Sequence, residues 1–173
     1  MSGRAGGFFR YLAYAMEIIV VSVLGATPGL LPEIYGAKPA LLVCVALTAA
    51  VYEREIPAMV IGAVCGALID LGYSNAIGVF SVALTVLCFV VGYAANNLIV
   101  AKLTNFLIYS FFAVGGLFML YFLVRFVWEG VDDRWTFFVN HLLSRMIQTY
   151  IWSVVFYALN RGIYQVLGEE YSN

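Results

Sequence analysis

Charge is scarce in this sequence. Asp, Glu, Lys and Arg make up 11% of its 173 residues, where a soluble domain carries about 25%. A disordered chain needs charge and few apolar side chains to stay solvated, so disorder is excluded. The net charge is −1 and no basic cluster exists, so nothing is available to neutralise a run of phosphates, and nucleic acid is excluded as a partner. Histidine occurs once, at His141, which rules out the paired ligands of an HExxH zinc site. No GxSxG elbow, Walker-type phosphate loop or aspartate cluster for magnesium occurs. The expectation is a protein that is not an enzyme, with no catalytic, metal or cofactor site. Cys44, Cys65 and Cys88 all lie inside apolar runs and read as small packing residues rather than a disulfide framework.

What the sequence does hold is apolar residues, at 64%, with a mean hydropathy of +0.94. A domain of roughly 150 residues still exposes about a third of its unfolded area, so water cannot be its solvent on every side. The chain reads as an integral membrane protein. A span needs about 20 residues, and six fit, over approximately residues 11–31, 37–52, 56–72, 77–95, 106–128 and 137–159. These make a single membrane domain over 1–173 with short loops. The first run exceeds the apolar core of about 7–15 residues in a signal peptide and carries Glu17, so it is expected to be retained. The second, Pro39–Val51, is roughly 20 Å long as a helix and falls short of a 30 Å bilayer core. It either spans with local thinning or re-enters the same side. The runs lack alternation and are mostly about twice the length of a barrel strand, which predicts an all-α bundle of about six transmembrane helices. With the N-terminus inside, Arg4, Arg10, Arg54, Lys102 and Arg161 fall on the cytoplasmic side, and Lys38 and Arg134 fall outside. That imbalance predicts both termini in the cytoplasm.

Three groups of residues stand out. Gly62, Gly66 and Asp70 recur every four residues, along one helix face. Such glycines let another backbone approach closely, either in an internal helix contact or on a face that docks a protein or lines a ligand site. His141, Arg145, Gln148 and Trp152 follow the spacing of a single helix stripe. A charge at a helix centre costs about 2.5–3.5 kcal/mol, so Arg145 should point into the bundle, with Asp70 or Glu17 as its partner. It either fixes helix register as a buried ion pair or contacts a substrate or partner. Glu17 is an intramembrane acid, and no second acid or histidine at its depth supports a proton relay.

The segment from Pro39-Ala40-Leu41-Leu42, through the turn Tyr52-Glu53-Arg54-Glu55, to Gly62-x3-Gly66-x3-Asp70, Gly78 and Gly92 resembles the rod shape-determining protein MreD family. The resemblance implies a non-enzymatic scaffold of the bacterial elongation machinery, multi-pass in the plasma membrane. It implies MreC as the nearest partner, with MreB, RodA and a class B penicillin-binding protein in the wider complex. Gly62, Gly66, Asp70 and Gly78 carry over as its packing and docking element. It also implies an architecture similar to the six-helix S component of energy-coupling-factor vitamin transporters. Such a substrate-binding subunit is the alternative function, with the stripe of His141, Arg145 and Gln148 lining its pocket and Ala46-x3-Ala50 meeting a coupling protein.

Overall fold

The computed structural model describes residues 3–27, 29, 38–73, 78–97, 103–129 and 142–168. Among these residues there are six α-helices and no strand: α1 (Gly3–Ala26), α2 (Leu41–Tyr52), α3 (Glu55–Tyr73), α4 (Val79–Asn97), α5 (Leu103–Glu129) and α6 (Ser144–Gly168). His141 and the hydrophilic loop from Gly130 to Arg134 lie outside the described residues.

The shortest helix is the centre of the bundle. The sequence of α2 offers no polar face, and a helix that is apolar all round is stable only when surrounded. Every residue from Leu41 to Val51 is buried, with α1, α3, α4, α5 and α6 all packed on it. At 12 residues it is about 18 Å long, so it reaches little more than halfway across a bilayer core. Its start falls at Leu41 rather than 37, because Pro39 disfavours helical geometry at Lys38. The helix ends at Glu53, whose backbone is extended, and α3 begins two residues later. Pro57 sits in the first turn of α3, where its missing N–H costs no intrahelical bond.

α1, α3, α4 and α5 are each long and apolar enough to cross a membrane, so the chain is an all-α, multi-pass membrane protein. α6 is built inside out relative to a helix on a soluble protein. Gln148, Thr149, Ser153 and Asn160 are buried, whereas Ile147, Ile151, Val155 and Leu159 are exposed. Polar side chains turn inward because lipid offers them no hydrogen bond. α6 also runs to Gly168, beyond the expected end at 159. Asn160 and Arg161 lower the local hydropathy, but neither breaks a helix.

Candidate functional site

The glycines of α3 are taken up inside the bundle. A Cβ on Gly62 would stand 2.7 Å from Leu84 O and 2.8 Å from Cys88 Sγ. On Gly66 it would strike the backbone of Ser81 and come within 2.6 Å of Phe80 O. The α3 face therefore lies directly against the α4 backbone, closer than any side chain permits.

Asp70, one turn further on, completes this clasp. Its Oδ1 accepts the Phe80 N–H at 3.1 Å and its Oδ2 accepts the Ser81 N–H at 2.9 Å. These are the second and third residues of α4, the two N–H groups that a capping side chain normally satisfies. The residue at the cap position is Gly78, which has no side chain to offer. It has φ +92°, a left-handed conformation that glycine adopts without strain. Its carbonyl accepts the Val82 N–H at 3.1 Å. Asp70 therefore caps α4 from the neighbouring helix, placing a carboxylate against the positive end of the helix dipole. Gly62, Gly66, Asp70 and Gly78 form one continuous α3–α4 joint.

A second polar joint closes the opposite end of the bundle. Arg10 grips Glu53 with two of its three guanidinium nitrogens, Nε at 2.7 Å from Oε1 and Nη2 at 3.0 Å from Oε2. The Tyr11 hydroxyl donates to Oε2 at 3.3 Å. The Glu53 side chain is only 1% exposed. Burial raises its carboxyl above the usual carboxylate range, and the Arg10 guanidinium opposes that rise. Asn96 of α4 donates to the Glu53 backbone carbonyl at 3.0 Å. The α2–α3 turn is thus tied to both α1 and α4.

Between these ends, α6 is stitched to α2. The Ala40 N–H donates to Thr149 Oγ1 at 3.1 Å, and Cys44 Sγ donates to Thr149 O at 3.1 Å. One further turn down, Asn160 donates to Thr48 Oγ1 at 3.0 Å and to Glu17 Oε1 at 3.1 Å. Glu17, a candidate partner for Arg145 in the sequence, is bonded here to α6 and shares Asn160 with Thr48 of α2. Ser110 of α5 donates to Ser153 Oγ at 3.2 Å.

Arg145 lies in the first turn of α6, with its guanidinium 5.7 Å from the centre of the Phe118 ring on α5, a cation–π contact. It lines a recess at the start of α2 together with Lys38, Pro39 and Val21. Gln148 Nε2 donates to Ser144 Oγ at 3.3 Å. Asp70 and Glu17 serve α4 and Asn160 respectively.

Asn96, Thr48 and Asn160 were not singled out from the sequence, and Glu53 stood there only as part of the charged turn. Asn160 did carry a signal, since it extends the 149–153–156 spacing of the buried α6 face by one more turn. Among the described residues, no group of three metal-ligating side chains is present.

Outside the bundle, the α4–α5 seam is open. Val82, Val86 and Leu120 are exposed, and with Val79, Ala83 and Gly116 they line an apolar groove. Comparison with known proteins gives one family: the model described as rod shape-determining protein MreD matches residues 8–167. No curated protein and no solved structure matches the chain.

Proposed function

Because the chain belongs to the MreD family of rod shape-determining proteins, we propose that it acts as a non-catalytic scaffold that seats the transmembrane helix of MreC. RodA and a class B penicillin-binding protein then join it in the elongation complex, with MreB on the cytoplasmic side. Membership gives the role in cell shape, within a membrane complex. The observation that supports docking is the way polar side chains are spent. Asp70, Glu53, Asn160 and Thr149 each tie one helix of the bundle to a neighbouring segment, so the outward faces are left apolar.

The glycine face of Gly62 and Gly66 is filled by α4 and has no room for a further helix. We therefore assign docking to the α4–α5 groove. There Ala83 and Gly116 make a depression between exposed Val82 and Leu120, and small residues let a partner helix approach. The ends that carry Arg10, Arg54 and Arg161 are assigned to the cytoplasm by the excess of basic residues there.

The test is photo-crosslinking in living cells from probes at Val82 and Gly116 in the groove, with Val23 on the exposed face of α1 as the control, and partners identified by mass spectrometry. Adducts with MreC from the groove but not from Val23 are the expected result. Adducts with MreC from Val23 alone would move the docking face to α1. Recovery of an ATPase pair and a coupling membrane protein would replace the scaffold with a transporter subunit.

A further inference from the structure

The polar cluster shared by α1, α2 and α6 has too few hydrogens for its oxygens. Asn160 is fully buried, and its Nδ2 carries two hydrogens. Three oxygens surround that nitrogen: Glu17 Oε1 at 3.1 Å, Thr48 Oγ1 at 3.0 Å and Phe156 O at 3.1 Å. The Thr48 hydroxyl hydrogen is already directed to Cys44 O at 2.7 Å, with Val45 O at 3.1 Å. The hydrogens on Asn160 Nδ2 and Thr48 Oγ1 are therefore all committed. Yet Glu17 Oε2 and Asn160 Oδ1 are both buried and receive no hydrogen bond. An ionised Glu17 would add a negative charge to a site already short of donors, where an unpaired buried charge is among the most costly features a protein can hold.

One added hydrogen removes that charge. We propose that Glu17 is held as the neutral carboxylic acid, so that the bond from Asn160 ties α1 to α6 without a buried charge. The neutral acid leaves no charge at the α1 contact, while Oε1 keeps the bond from Asn160. Loss of that proton would put a charge and an unsatisfied oxygen at the α1 contact, so the fastening opens as pH rises. The groups that face Glu17 do not supply a counter-charge. Tyr14 of α1 and Cys65 of α3 are the titratable neighbours that feel it, and both are neutral or negative. α2 and α6 present Thr48 and Asn160. Arg10, two turns away, is engaged by Glu53, and Arg161 is exposed.

The test uses the purified full-length chain in detergent micelles, as wild type, Glu17→Gln and Glu17→Ala. Glutamine supplies a donor in the place of the acid proton, and alanine supplies none. The wild-type minus Glu17→Gln infrared difference at neutral pH should show the carbonyl stretch of a protonated acid. Glu17→Gln should melt within about 2 °C of wild type. Glu17→Ala should melt about 2–6 °C lower, from interhelical bonds of about 0.6–1.7 kcal/mol at about 2–4 °C each. At alkaline pH wild type should lose stability relative to Glu17→Gln. A carboxylate band in the difference spectrum overturns the proposal, and so does a Glu17→Gln chain that fails to fold. A melting temperature that rises with sodium in wild type and not in Glu17→Gln would put a metal cation where the proton is proposed, and would also overturn it.

Discussion

Adding one methyl group at Gly66 should cost this fold far more than adding it six residues away at Gly72. A Cβ at Gly66 comes within 2.6 Å of Phe80 O and 2.8 Å of Ser81 N, and a carbon–oxygen contact relaxes only near 3.3 Å. The contact with Ser81 Cα is closer still, so the α3 and α4 backbones must part by at least about 0.7 Å. Movement of that size lengthens the 2.9 Å bond from Ser81 N–H to Asp70 to about 3.6 Å, past hydrogen-bonding distance. Overpacking costs about 1–3 kcal/mol, and a hydrogen bond to a charged group contributes about 1.5–3 kcal/mol. Alanine returns about 1 kcal/mol through helix propensity. The net loss of about 2–5 kcal/mol corresponds to a melting temperature about 5–15 °C lower for a chain of this size. At Gly72 nothing lies within 4 Å of the added carbon, and Gly72→Ala keeps the propensity gain, so it should melt at or slightly above wild type. Thermal unfolding of the two variants in the same detergent decides the matter. Equal melting temperatures would mean that the glycine face does not bring α3 against α4 as described.

The two polar joints and the cysteines give further expectations. Asp70→Ala should lower the melting temperature by about 6–24 °C, since two N–H groups at the start of α4 lose a charged acceptor; Asp70→Asn, which keeps one acceptor oxygen, should fall between that and wild type. Arg10→Ala should be more damaging than Arg10→Met combined with Glu53→Leu, because the single change leaves a buried carboxylate unpaired and the double change removes both charges; a double variant no more stable than the single would refute this. Cys44, Cys65 and Cys88 are all buried and should stay unlabelled by a membrane-permeant maleimide until the bundle is unfolded, as mass spectrometry of the labelled chain would show.

Much of the architecture was legible because lipid imposes a simple rule on sequence: long apolar runs must be helices. The ends were less so. Hydropathy closed the last span at Leu159 although α6 continues, since hydropathy reads residues one by one and cannot register that Asn160 has partners on α1 and α2. The Gly62–Gly66–Asp70 spacing announced a close approach of backbones, but spacing on one helix does not name the other. Internal contact and external docking give the same pattern, and the identity of α4 as the neighbour depends on a tertiary fit. Asp70 was harder still. Its task is to cap a helix that starts nine residues later, and the clue lies in Gly78, a cap residue that lacks a capping side chain. Glu53 was seen as part of a charged turn, but its burial beside Arg10, 43 positions earlier, is a fact of long-range packing. Arg145 was expected to be unusual in position, and the Phe118 ring beside it could not be read from α6 alone.

The enclosure of α2 bears on how the protein is made. A helix of about 18 Å has no independent hold in a 30 Å bilayer core, and its surroundings are supplied by helices translated both before and after it. Thr149 and Asn160, which satisfy Ala40 and Thr48, belong to the last helix of the six. Until α6 emerges from the ribosome, α2 lacks one wall and these polar groups lack their partners. The centre of this bundle is therefore the part that matures last, and an incomplete chain would present to the membrane's quality-control proteases the very segment that the finished protein hides most completely.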